Sequence, residues 1–175
     1  MSSSLATEPM ETLDVGASSG GSRFLVVRLA SETYAIDIGV VREIIQPIPV
    51  TRLPRAPHHI LGVMNLRGKI LTVVDLRRRL RMPPMVIGGR TVFVVLHYPE
   101  GVTTEPFAVV ADEVLEVVMI DANGVDMPPE VGESSPAGAF LQGIGRSESG
   151  PVFLLDLASA VTAGGRLAGT GTANA

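Results

Sequence analysis

Cysteine is absent from all 175 residues, which excludes a disulfide framework, a thiolate metal site and a cysteine nucleophile. Tryptophan is absent too, and aromatics make up only 4% of the chain, too few for a platform that stacks single-stranded nucleic acid. There is no run of eighteen apolar residues, and Met1 to Ser22 lacks the basic and apolar pattern of a signal peptide. The sequence therefore supports neither membrane insertion nor export, and the expected location is the cytoplasm. His58 and His59 are adjacent, so a strand would point them to opposite faces, and His97 is isolated; no third metal ligand stands near. No serine occupies a Gly-x-Ser-x-Gly elbow, and Asp112, Glu113 and Glu116 have no basic or histidine partner close in sequence. Gly62 and Gly68-Lys69 miss the P-loop spacing by one residue, and Ile70 stands where a magnesium ligand is needed. Gly143-Ile144-Gly145 precedes a strand, whereas a dinucleotide loop must follow one and open a helix. No catalytic or cofactor site is expected.

What is present is apolar surface. Hydrophobic residues make up 46% of the chain and the mean hydropathy is +0.35, enough for one compact domain or two small ones. The net charge of -4 hides an asymmetry. Ser22 to Pro83 carries eleven Arg and Lys against four acids; Pro84 to Ala175 carries three against eleven. The halves are either solvated faces of opposite sign or surfaces steered toward different partners.

Residues 1–21, rich in Ser, Gly and Thr, and residues 162–175, rich in Gly, Ala and Thr, read as disordered tails. Between them short Val, Ile, Leu and Phe runs recur about every ten residues, separated by Pro, Gly, Asn and Asp. This is the spacing of an all-β chain. Strands are predicted over 24–29, 33–37, 41–45, 61–66, 69–74, 91–98, 106–111, 114–119, 141–144 and 152–155, five on either side of Pro83-Pro84. Asp75 and Asp156 are candidate N-caps for short helices over 76–80 and 157–161.

The two halves repeat. Tyr34-Ala35-Ile36 through Ile45 aligns without gaps on Phe107-Ala108-Val109 through Val118, and Gly62, Val63, Val74 and Asp75-Leu76 match Gly143, Ile144, Leu155 and Asp156-Leu157. Two copies suggest paired small domains rather than a solenoid. A half of about 65 residues has a marginal core by itself, and five short antiparallel strands suit a small closed barrel. The expected division is a first barrel over about 22–83 and a second over about 84–161, packed on a shared apolar interface.

One element is not repeated: the Asn65-Leu66-Arg67-Gly68 turn is missing from the second copy. Arg67 is either a turn arginine bonding local carbonyls or a directional donor offered at an interface. Glu43, between Val41 and Ile45 on one face of its strand, is either an edge charge or part of a binding groove. Arg77-Arg78-Arg79 with Arg81 could touch phosphate, but a solvated helix face is the simpler reading.

These residues resemble the CheW family of bacterial chemotaxis coupling proteins. The resemblance runs from about Phe24 to Val161. It is carried by Val41-Arg42-Glu43-Ile44, the approach from Pro54 to Gly62, Gly62-Val63-Met64-Asn65-Leu66-Arg67-Gly68, Ile70 to Leu76, Val109 to Val114 and Leu141 to Ile144. It implies two intertwined five-stranded SH3-like barrels and a noncatalytic adaptor without cofactor. Such an adaptor links chemoreceptor tips to the regulatory domain of a CheA-type histidine kinase in arrays at the inner face of the membrane. The receptor's helical hairpin would enter a groove that includes Val41, Glu43, Ile44, Gly62, Asn65 and Arg67, and the kinase would pair barrel to barrel. The alternatives are an equivalent scaffold in a pilus or surface-motility pathway and a small-ligand-binding β-barrel. The 99–105 turn and the acidic 121–133 connection depart from the family pattern.

Overall fold

A computed structural model describes residues 21–84, 86–99, 105–127 and 138–162. Apart from Gly21 and Thr162, the expected tails lie outside these residues, as do most of the 99–105 turn and the second part of the 121–133 connection. All ten expected strands form: β1 (Gly21–Leu29), β2 (Glu32–Asp37), β3 (Val41–Ile45), β4 (Ile60–Leu66), β5 (Lys69–Asp75), β6 (Val92–Leu96), β7 (Phe107–Ala111), β8 (Glu113–Asp121), β9 (Leu141–Ser147) and β10 (Gly150–Leu155). The two short helices are α1 (Leu76–Arg79) and α2 (Leu157–Thr162). Asp75 caps α1 by accepting from the Arg78 amide at 3.2 Å, and Asp156 accepts from the Ser159 amide at 3.0 Å in α2. Short 3-10 turns lie at 38–40, 122–124 and 138–140. Among the described residues no helix is long and apolar enough to cross a membrane.

The strands form two five-stranded sheets, in the orders β8-β1-β2-β10-β9 and β3-β6-β7-β5-β4. This corrects the division at Pro83-Pro84, because neither barrel is a continuous stretch of chain. The repeat pairs β1 with β6, β2 with β7, and β3, β4 and β5 with β8, β9 and β10, and the two halves have exchanged their first hairpins. β1-β2 completes the sheet of β8, β9 and β10, called barrel A here; β6-β7 completes the sheet of β3, β4 and β5, barrel B. Each exchange is sealed by a parallel pairing: Tyr34 and Ala35 lie beside Phe153 and Leu154, and Thr72 to Asp75 beside Phe107 to Val110.

The exchange explains why the first hairpin of each half is apolar on both faces. Alternate residues of a strand point to opposite sides. On β1, Phe24 and Val26 fill the interior of barrel A with Ala35, Ile120, Val152 and Leu154, while Leu25, Val27 and Leu29 face the other barrel. On β6 and β7, Phe93, Val95, Ala108 and Val110 fill barrel B with Met64, Leu71 and Val73; Val94, Leu96, Phe107, Val109 and Ala111 meet the shared core. Leu76, Leu157, Ala160 and Val161 bring both helices onto that interface. Each fully buried large aliphatic or aromatic side chain contributes about 1.5–3 kcal/mol. Tyr98 stacks on Phe107 with ring centroids 6.2 Å apart, and burial, followed by the charges of Asp156 and Asp37, pushes its hydroxyl up to about 12.

Polar ties run between the halves, and they account for the arginine run after β5. Arg77, Arg78 and Arg79 are drawn into contacts with the protein, while Arg81 is exposed. Arg77 pairs with Asp112, which also accepts from the Ala30 amide at 2.7 Å; both side chains of the pair are largely buried. Arg78 pairs with the capping Asp75 at 3.1 Å. Arg79 lies over the Phe140 ring, 4.6 Å from its centroid, and donates to the Ala160 carbonyl. The acids of the second half, which lack neighbours in sequence, find theirs here too: Glu113 binds Arg28 at 2.9 Å and Arg90 at 3.3 Å. Nearby, the His59 imidazole is held below its ordinary pKa by burial, then by the charges of Arg79 and His58.

The charge asymmetry survives the exchange as a polarity between barrels. Arg42, Arg52, Arg55, Arg67 and Lys69 are exposed on barrel B, and Asp121, Asp126 and Glu148 on barrel A.

Candidate functional site

β4 and β5 are joined by a two-residue loop, since Leu66 pairs with Lys69 across it. Such a loop matches the twist of its strands best as a type I′ turn, which needs positive φ at both central residues. Gly68, at φ 85, meets this requirement freely. Arg67 meets it at φ 51, where a side chain with a Cβ costs about 1–2 kcal/mol. Asn65 supports the turn by accepting from the Gly68 amide at 2.8 Å. The strain places the Arg67 guanidinium against Glu43: Nη1 donates to Oε1 at 3.0 Å and Nη2 lies 2.9 Å from Oε2. This two-pronged geometry is the strongest form of an arginine–carboxylate pair. β3 and β4 are the two ends of their sheet, so the pair ties the free ends of barrel B.

The pair stands at the edge of an open cleft of about 640 Å³ with an apolar floor of Leu66, Leu71, Val95 and Pro106. Arg42, Lys69, His97 and Glu105 share its walls. Arg42 reaches the cleft through a β-bulge. The β3–β6 register passes from Val41 opposite Leu96 directly to Glu43 opposite Val95, so Arg42 is the extra residue and the alternation of β3 is broken there. Its Nη2 lies 2.9 Å from His97 Nδ1.

Of the six residues expected at a groove, Glu43 and Arg67 line the cleft, and Asn65 braces the turn that carries Arg67. The others serve different positions. Val41 packs on the shared core, and Ile44 is exposed on the outer face of β3. Gly62 is buried beneath a crossing segment, where a Cβ would stand 2.2 Å from the Thr51 carbonyl oxygen. Thr51 and Val63 exchange backbone hydrogen bonds of 2.8 and 2.9 Å, and Asp126 and Ile144 repeat this bridge in barrel A at 2.8 Å each way. That crossing accounts for the glycine shared by both copies. Sequence reading missed Arg42, His97 and Lys69; the signal available was Arg42 beside a singled-out acid, but alternation assigned it to the opposite face.

The second copy keeps the backbone of this site without its chemistry. β8 bulges against β1 at the matching place, with Val26 opposite Glu116 and Val27 opposite Val114. The extra residue there is Leu115, packed on the barrel A core. Glu116, the counterpart of Glu43, accepts from Ser149 at 3.2 Å in the β9–β10 turn. Among the described residues no group of three or more His, Asp or Glu could hold a metal.

Two interlocked five-stranded sheets on one shared apolar core define an all-β protein of the two-barrel class. Residues 23–164 match the CheW-like domain, and the chain belongs to that family. It is 33% identical over 137 residues to the chemotaxis protein CheW of Klebsiella aerogenes, covering 78% of this chain and 80% of that one. It is 37% identical over 119 residues to protein FrzA of Myxococcus xanthus, covering 67% and 71%. The solved structure of the scaffolding protein CheW from Thermoanaerobacter tengcongensis superposes with a TM-score of 0.72 at 27% identity, covering 83% of this chain and 96% of that one. The two sheets are accordingly SH3-like barrels, and the family is one of noncatalytic scaffolds.

Proposed function

We propose that this chain is the adaptor that couples the cytoplasmic hairpin of a chemoreceptor to the regulatory domain of a CheA-type histidine kinase. One observation carries the reading: a strained turn, present in one copy of the repeat only, holds Arg67 in a two-pronged pair with Glu43 at the mouth of a cleft. Ala30, Arg55 and Arg81 also have positive φ; what sets Arg67 apart is that its strained turn delivers a guanidinium to Glu43 beside the cleft. The cleft suits a helix laid in a groove, with Leu66, Leu71 and Val95 supplying burial and Glu43 and Arg67 direction. The kinase takes the other barrel in this reading. There β8, at the end of its sheet, presents Val117 and Met119, 51% and 63% exposed. Through its partners the protein joins arrays at the inner face of the membrane.

The test is co-purification of the full chain with its cognate receptor hairpin and with the kinase regulatory domain. Arg67 is 74% exposed and Glu43 31%, so their ion pair adds less than about 1 kcal/mol to stability. Arg67→Glu and Glu43→Lys should each weaken hairpin binding at nearly unchanged thermal midpoint. Folded wild-type protein that binds neither partner refutes the reading, and collapse of both variants returns the two residues to a structural role.

A further inference from the structure

We propose that Arg42, Lys69 and His97 form a receiving site for one carboxylate of the partner helix, and that filling it draws a proton onto His97. The proposal rests on the receptor reading and names the side chain that the groove selects.

Both barrels insert one extra residue at the same place in the repeat, opposite Val95 to Leu96 in one and Val26 to Val27 in the other. In barrel A that residue is Leu115, which contributes to packing. In barrel B it is Arg42, exposed in the cleft. A bulge re-aims the side chain it carries; here the same device aims a leucine at a core in one copy and a guanidinium into a cleft in the other. Folding needs the bulge in both barrels but the charge in neither.

The charges in the cleft are unbalanced. Arg67 is neutralised by Glu43. Arg42 and Lys69 make no ion pair among the described residues, and Arg42 is held by an imidazole instead. Glu105 is the other acid among the described residues that line the cleft. Counting Arg42, Arg67 and Lys69 against Glu43 and Glu105, the described lining of the cleft is positive by one charge even with His97 neutral. A partner carboxylate meets two cations there without displacing the Glu43–Arg67 pair.

The contact between Arg42 and His97 gives the site its dependence on protons. Arginine only donates, so His97 Nδ1 must accept, and the ring carries its single proton on Nε2. Once His97 is protonated, Nδ1 can no longer accept, Arg42 is released, and the cleft gains a second unit of positive charge. An incoming carboxylate favours that state because it can pair with both groups. The charged groups that share the cleft with His97 among the described residues are Arg42 and Glu43 from β3, Arg67 and Lys69 from the β4–β5 hairpin, and Glu105 ahead of β7, and Arg42 is the one in direct contact with it. A carboxylate placed between Arg42 and His97 favours the imidazolium over the neutral ring, because an opposite charge close by stabilises the charged form.

The experiment is calorimetric titration of the full chain with the cognate receptor hairpin at pH 6 and pH 8, in two buffers of different ionisation enthalpy. Wild-type protein should bind tighter at pH 6 and take up protons on binding. Arg42→Glu should weaken binding about tenfold or more, as expected for reversing one charge in a partly desolvated pair. Arg42→Lys should recover most of that loss. His97→Gln should bind as wild type does at pH 8 but lose the proton uptake and the gain at pH 6. In the hairpin, one Glu or Asp changed to Lys should restore binding to Arg42→Glu. Thermal midpoints are recorded for each variant at both pH values. Wild-type affinity in Arg42→Glu, or unchanged proton uptake in His97→Gln, overturns the carboxylate site while leaving the adaptor reading intact. Absence of any hairpin binding by folded wild type overturns both.

Discussion

Changing Gly62 to alanine tests whether this residue belongs to the scaffold or to the partner surface, and the structure sets the size of the effect. An added Cβ would lie 2.2 Å from the Thr51 carbonyl oxygen and 2.8 Å from both Thr51 C and Val50 Cγ1. Ordinary contact needs more than 3.4 Å, so the crossing segment must retreat by about 1 Å or more, and the obstacle is backbone rather than a mobile side chain. That retreat breaks the Thr51–Val63 bridge, two hydrogen bonds of about 1 kcal/mol each. The φ of +152° at Gly62 adds about 1 kcal/mol of strain for a residue with a Cβ, and residual crowding about as much again. The stiffer unfolded chain returns about 0.4–1 kcal/mol, leaving a loss of about 3–4 kcal/mol and a fall in Tm of about 10 °C. Gly143→Ala is the internal control. Its first obstacle is Val125 Cγ1 at 2.4 Å, a methyl that can rotate away, and the nearest backbone atom, the Asp126 carbonyl oxygen, is 3.2 Å off. The expected loss there is about 1–2 kcal/mol. Urea unfolding of both variants, compared at equal m-value, measures the difference. Equal costs would refute the backbone-crossing argument, and a Gly62→Ala protein with wild-type stability that fails only to bind receptor would make Gly62 a contact residue.

Two further outcomes concern the ties between the halves. Asp112→Ala leaves the Arg77 guanidinium, 17% exposed, and the Ala30 amide without their acceptor. It should cost about 3 kcal/mol in chemical denaturation, whereas Glu113→Gln, facing more exposed arginines, should cost less than about 1 kcal/mol; the opposite ranking would contradict the assignment. Because His59 is held below its ordinary 6.5 in the folded protein, the unfolded chain binds more protons around pH 6. The stability it supports is present above about pH 6.5 and is lost as the pH falls toward the folded value. His59→Gln should flatten that slope between pH 7 and 5 in unfolding experiments, and an unaltered slope would assign it to other groups.

The strands were readable in the sequence because each is an apolar run closed by Pro, Gly, Asn or Asp, and the two N-caps because a side-chain oxygen needs only its own next turn. The exchange of hairpins was not readable from the repeat. β1-β2 and β6-β7 are equivalent, so the pattern that fits one set of three strands fits the other equally well. The role of Arg77 was hidden for a related reason: Asp112 lies 35 residues away and comes close only after the exchange. Glu43 and Arg67 each stood out locally, one as an acid between apolars and the other in an unrepeated turn, yet their pairing over 24 residues needed the sheet ends to meet. Arg42 escaped because a strict two-residue alternation cannot represent a bulge.

The exchanged hairpins also fix a timetable for synthesis. When β5 has left the ribosome, the chain holds two strands of one barrel and three of the other and can finish neither. Barrel B first becomes complete when Ala111 emerges, while β1-β2, apolar on both faces, must wait for Leu155. Pairings of such long sequence separation form slowly, and the waiting surface is prone to aggregate. A fragment cut at the boundary of the repeat therefore carries parts of two barrels and cannot serve as a miniature of the whole.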